Sequence, residues 1–182
     1  MPLNPGTHTV EPDGSTLTVK TYCEGLAAKA GHDLVIDVTR WKATVDVGED
    51  GAPRSVALDA DPDSFEVRDG VGGAKPLTDK DRADIRKSIG QKVLGSDPIT
   101  FRSSAASLDG SGRLRVEGEL AMAGNSRPAV FELDVGDDGA VAGTIELTQS
   151  DWGIKPYRGL MGALKVRDTV DIVLDARLPT AT

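Results

Sequence analysis

A chain of 182 residues, 38% hydrophobic and with a formal charge of −8, has the size and apolar content of one soluble domain and the wrong charge for nucleic acid. A single cysteine, Cys23, excludes an intrachain disulfide and a Cys-rich metal motif, and no apolar run approaches the roughly 18 residues that span a bilayer. The opening Met1-Pro2-Leu3-Asn4-Pro5-Gly6 has neither a basic stretch nor an apolar core like a leader, so a cytoplasmic location is expected.

Most of the chain reads with a period of two. Ser15 to Cys23 sets Leu17, Val19, Thr21 and Cys23 against Thr16, Thr18, Lys20 and Tyr22. His32 to Arg40 places Leu34, Ile36 and Val38 on one face, and Trp41 to Val47 does the same with Ala43, Val45 and Val47. Alternation of this kind marks half-buried strands of an antiparallel sheet. Ser55 to Ala60 continues it with Val56 and Leu58, and the glycine-rich stretch from Asp69 to Gly73 reads as a loop.

From Thr78 to Leu94 the period changes, with Ile85, Ile89 and Val93 four residues apart along one helical stripe. Thr78 and Asp81 have capping-box spacing, and Gly95 ends the helix. Strands resume at Ile99 to Ser103, at Leu114 to Leu120, and at Val130 to Val135 before the turn Gly136-Asp137-Asp138-Gly139. Val141 to Leu147 returns from that turn, and Thr169 to Leu178 ends the pattern. At least eight strands with one inserted helix predict an all-β fold: an antiparallel up-and-down barrel, one domain over residues 1–182, wide enough for one small ligand.

Several stretches together resemble the YceI-like family. They are Gly31-His32-Asp33-Leu34, Asp97-Pro98-Ile99-Thr100-Phe101, Val116-Glu117-Gly118-Glu119-Leu120 followed by Gly124-Asn125-Ser126-Arg127-Pro128, and Ser150-Asp151-Trp152-Gly153-Ile154. Their order and spacing cover residues 8 to 178. The resemblance implies a lipocalin-like barrel that binds a polyisoprenoid or isoprenoid quinone, without catalysis and without a further cofactor. The chain departs from the family in its helix, which lacks the His and clustered aromatics often found there, and in Ser126, where Thr is usual.

Alternation nominates Leu34, Ile36, Val38, Phe101, Val116 and Phe131 as inward residues, with Ile85, Ile89 and Val93 as a lid. Such side chains either line a cavity or simply fill the barrel. His32 either meets a ligand head group or anchors a strand start through one ring nitrogen. Trp152 and Tyr157 either line an entrance, with Lys155 or Arg158 meeting a polar head, or cap and plug the barrel while Asp151 holds the turn. Gly159 to Leu164 suits a lid or a small interface, though packing on the rim fits its composition better.

No metal is expected, because His8, His32 and Cys23 lack ligand spacing. Catalytic motifs are absent too: there is no Gly-x-Ser-x-Gly, and no Lys-Ser/Thr follows Gly70-Val71-Gly72-Gly73 as a phosphate loop requires. The partner expected is a hydrophobic small molecule, with no nucleic acid and no stable membrane insertion; a homodimer is left open. The rival readings are a filled-barrel interaction module and an enzyme using His32 as a base.

Overall fold

The alternating segments are strands in the computed structural model, which describes residues 3–181; Met1, Pro2 and Thr182 lie outside them, the first two within the segment read above for a leader. In chain order the strands are β1 Gly6–Val10, β2 Thr16–Thr21, β3 Cys23–Glu24, β4 His32–Val38, β5 Trp41–Val47, β6 Pro53–Ala60 and β7 Phe65–Gly72. After the helix α1 Asp79–Ser88 come β8 Ile99–Leu108, β9 Arg113–Met122, β10 Asn125–Val135, β11 Ala140–Thr148, β12 Arg158–Gly159, β13 Leu164–Val166 and β14 Thr169–Arg177. Eleven strands make one antiparallel sheet, ordered β1-β5-β6-β8-β9-β10-β11-β14-β2-β4-β7, and β12, β13 and β3 make a small second one. The large sheet curls into a lipocalin-like half-barrel with its apolar face inward.

The sheet is larger than the eight strands read from the sequence, for local reasons. β1 carries Thr-His-Thr and no apolar alternation, so only its ladder to β5 reveals it. Asp69 to Gly73 was expected to be a loop, yet β7 runs on to Gly72, paired with His32 at the start of β4. Asp and Gly are poor strand formers, and here pairing overrides propensity. A bulge between Val35 and Ile36 accommodates the irregular register.

One end of the barrel is solid. Leu3 bridges to Thr180, Asn4 N donates to Pro179 O (2.9 Å), and Leu3, Leu114, Val116 and Leu178 are almost wholly buried. α1 lies against β7, an edge strand. Arg82 donates to the carbonyls of Val67 (2.8 Å) and Arg68 (3.0 Å), and Arg86 to that of Asp63 (3.1 Å), so the helix occupies acceptors near that edge.

The capping box is present: Asp81 N donates to Thr78 Oγ1 (3.2 Å) and Thr78 N to Asp81 Oδ2 (2.9 Å). The helix is not uniform over 78–94. It is α-helical to Ser88 and then a π-helical stretch, Ile89–Leu94, ending at Gly95 with φ 70°.

Gly118 is required by close approach. A Cβ there would lie 2.6 Å from the Phe101 ring and 2.7 Å from Ser103 Cα, against the bulge that separates Ser103 from Ala105. Gly118→Ala should therefore cost about 1–3 kcal/mol by overpacking. Calorimetry would show this as a fall in Tm of roughly 2–4 °C per kcal/mol; an unchanged Tm would mean that the bulge yields freely.

Candidate ligand cavity

Inside the half-barrel lies a cavity of about 960 Å³. That is near the top of the roughly 300–1,000 Å³ range of small-molecule sites. Its walls follow from the period of two. β2 contributes Leu17, Val19 and Thr21; β4 Leu34, Ile36 and Val38; β6 Val56, Leu58 and Ala60; β14 Val170, Ile172 and Leu174. Water inside such a lining would forgo hydrogen bonds, so the space favours an apolar occupant.

The structure brings most of the nominated residues to this one cavity. His32, Leu34, Ile36, Val38, Phe101, Phe131, Trp152 and Tyr157 line it, as do Ile85, Ile89 and Val93 from the helix and its π-helical extension. The rings of Phe101 and Phe131 are 4.9 Å apart and tilted by 54°. Val116 is the exception. It is fully buried between Ala106 and Phe131 in the ladders, part of the hydrophobic core and outside the cavity lining. Alternation gives its face but not its depth along the barrel.

Other lining residues follow the same alternation. Val19, Ile172 and Ile145 are ladder neighbours, all facing the cavity. Trp41 also lines it, and its buried indole N–H has no hydrogen-bond partner. A buried unsatisfied donor costs about 1–3 kcal/mol. No sequence signal marks it.

Polar side chains also border the cavity, His32 and Cys23 among them. His32 Nε2 is 2.7 Å from Lys75 O, and because a carbonyl only accepts, this nitrogen carries the proton and donates. The ring packs on Gly73, whose φ of 79° suits glycine. His32 therefore pins the β7–α1 connection, and only Nδ1 is left to act as a base. Cys23 Sγ donates to His32 O (3.1 Å), and burial, with Asp33 nearby, pushes its thiol pKa up, opposite to what a reactive cysteine needs.

Trp152 is buried, with Nε1 donating to Leu120 O (2.8 Å), and Asn125 Nδ2 donates to Trp152 O (2.8 Å). The turn before it is held by Asp168 and not by Asp151: the Ser150 N–H (2.8 Å) and hydroxyl both donate to Asp168. Leu164 lines the cavity, whereas Leu160 and Met161 project into solvent, so rim packing holds for only part of Gly159 to Leu164.

The wall has a gap. β11 pairs with β14 from Ala140↔Arg177 to Thr148↔Thr169, but β10 and β11 are paired only at Asp134↔Ala142 and Val135↔Val141. Beyond these the strands splay. On β2, β4, β6 and β14 alternate residues reach the cavity; on β10 and β11 consecutive ones do, Pro128 to Phe131 and Ile145 to Thr148. Residues of both parities can border the cavity only where the wall opens. The slot's lips include half-exposed Val130 and Pro128, a residue suited to a strand edge.

Among the described residues no group of three or more His, Cys, Asp or Glu side chains could hold a metal ion, and no helix is long and apolar enough to cross a membrane.

The YceI-like domain matches residues 8–178, nearly the whole chain. The chain belongs to the YceI-like family. Two crystal structures share this YceI-like fold. BcnA of Burkholderia cenocepacia superposes with a TM-score of 0.64 at 17% identity, over 89% of this chain and 94% of its own. The Campylobacter jejuni YCEI protein gives 0.55 at 11% identity, over 81% and 85%. Among curated proteins none matches in sequence.

Proposed function

We propose that this YceI-like domain binds a long apolar chain, a polyisoprenoid or isoprenoid quinone, inside the half-barrel and carries it without covalent chemistry. The observation behind this reading is the 960 Å³ cavity walled by inward aliphatic side chains from strand after strand. Family membership supports the prenyl class of ligand. The polar groups present suit holding more than reaction: His32 and Trp152 spend donors on backbone carbonyls, and the Cys23 thiol is disfavoured as thiolate.

Burial drives such binding. Each CH₂ removed from water contributes about 0.8 kcal/mol, whereas whole ligands of drug size retain roughly 0.3 kcal/mol per heavy atom. At the lower figure a five-carbon unit is worth about 1.5 kcal/mol, roughly a tenfold gain in affinity.

Native mass spectrometry of the protein from its own cells, followed by solvent extraction, should find a stoichiometric prenyl lipid. Titration with prenyl alcohols of increasing length should then tighten Kd by roughly tenfold per unit until the cavity is full. Equal affinity for short and long chains, or an empty protein that takes up none, would overturn the reading in favour of an interaction module.

A further inference from the structure

We propose that the small sheet β12-β13-β3 and its flanking turns form a docking tip for an anionic lipid surface, from which the cavity exchanges its ligand. The second clause rests on the apolar-ligand reading; the first does not.

Three large apolar side chains stand in water at this place. Leu26 and Met161 are fully exposed, and Leu160 largely so. They share one tip because Ala27 N donates to Ala163 O (2.9 Å), which joins their two loops. Leu160 and Met161 both hold left-handed backbone, with φ of 48° and 55°. A large side chain there is strained, and glycine would relieve the strain. The turn thus presents two apolar groups outward at a conformational cost, with no gain in burial.

Charge points to the occupant. The chain as a whole carries −8, yet residues 23–31 and 154–167 hold Lys29, Lys155, Arg158, Lys165 and Arg167 against Glu24 alone. Of the acids bordering these segments, Asp33 accepts from Cys23 N and Asp168 from Ser150; Asp151 is exposed. Arg158 faces Lys165 across one ladder and Glu24 faces Lys165 across the other, so this row keeps one positive charge in excess, which an anionic surface would offset.

A basic rim around a few apolar knobs suits insertion at a lipid interface. Three side chains fall far short of the roughly 800 Å² per partner of a stable protein interface. The tip is also continuous with the cavity, since Cys23, Tyr157, Leu164 and Val166 line it.

Vesicle flotation at low salt tests this. The protein should float with equimolar phosphatidylcholine and phosphatidylglycerol, far less with phosphatidylcholine alone, and lose binding as salt is raised. The variant Leu26→Ser/Leu160→Ser/Met161→Ser, altered only at exposed side chains, should bind at least about tenfold more weakly. Arg158→Gln with Lys165→Gln should cost about fivefold per residue, on anionic vesicles only. Failure of the unaltered protein to float, or equal flotation of the triple-serine variant, overturns the tip.

Prenyl-lipid uptake from detergent micelles separates the two readings. Uptake without flotation rejects the tip alone. Flotation without uptake leaves the tip standing and rejects the carrier.

Discussion

Val19→Trp combined with Leu58→Trp is expected to weaken binding of a cavity-filling prenyl chain by at least about a hundredfold, close to 2.7 kcal/mol, without lowering Tm. Val19 lies on β2 and Leu58 on β6, strands that share no ladder, and both side chains line the cavity. Two indoles brought in from separate walls would occupy the volume that a long chain needs. In a hollow barrel they have space to enter and gain apolar contacts, so the fold keeps its stability. In a filled barrel each would overpack and cost about 1–3 kcal/mol. One kcal/mol lowers Tm by roughly 2–4 °C in a domain of this size. Binding and melting measured on one variant therefore separate the carrier from the interaction module. An unchanged Kd or a sharp fall in Tm would each contradict the hollow-cavity reading.

How far the sequence reached is clearest on individual strands. Leu17, Val19 and Thr21, or Leu34, Ile36 and Val38, share a face because a strand's side chains alternate, and that face is the cavity wall. The helical stripe of Ile85, Ile89 and Val93 was equally legible and meets the same space. Depth along the barrel was not. Val116 has the same parity as Leu120, yet Leu120 lines the cavity while Val116 lies outside the lining. Separating the two requires knowing where neighbouring strands begin and end, which no local period encodes. The outer part of β7 was hidden because Asp69 and Gly70 resist extended structure alone and hold it only through pairing with β4, while Gly72 pairs with His32 at a φ of 79° that glycine permits. Trp41's lone N–H and the gap beside β10 are likewise facts of assembly, invisible to any window of sequence.

That gap carries the second large effect: a covalent staple across it should slow uptake of a prenyl chain by at least about a hundredfold, as a closed lid does. If the register set by Asp134↔Ala142 continued, Val130 would face Glu146, both pointing away from the cavity interior. Val130→Cys with Glu146→Cys, in a Cys23→Ala background, places one thiol on each lip. A disulfide needs Cα atoms about 4.4–6.8 Å apart, so its formation would itself show that the splayed strands can close; a longer bis-maleimide would bridge lips that stay apart. The reduced disulfide form serves as the folded, open control. Rapid uptake when reduced, slow uptake when stapled, and recovery on adding reductant would mark the slot as the ligand's route. Equal rates in both states would send the chain instead through the rim beside the small sheet, at Cys23, Tyr157 and Leu164. The two routes differ in what they ask of the ligand. Through the rim an isoprenoid must thread end first, whereas a slot along β10 and β11 admits it sideways, so the barrier need not grow with chain length. Uptake rates across a length series, stapled and open, would separate the two.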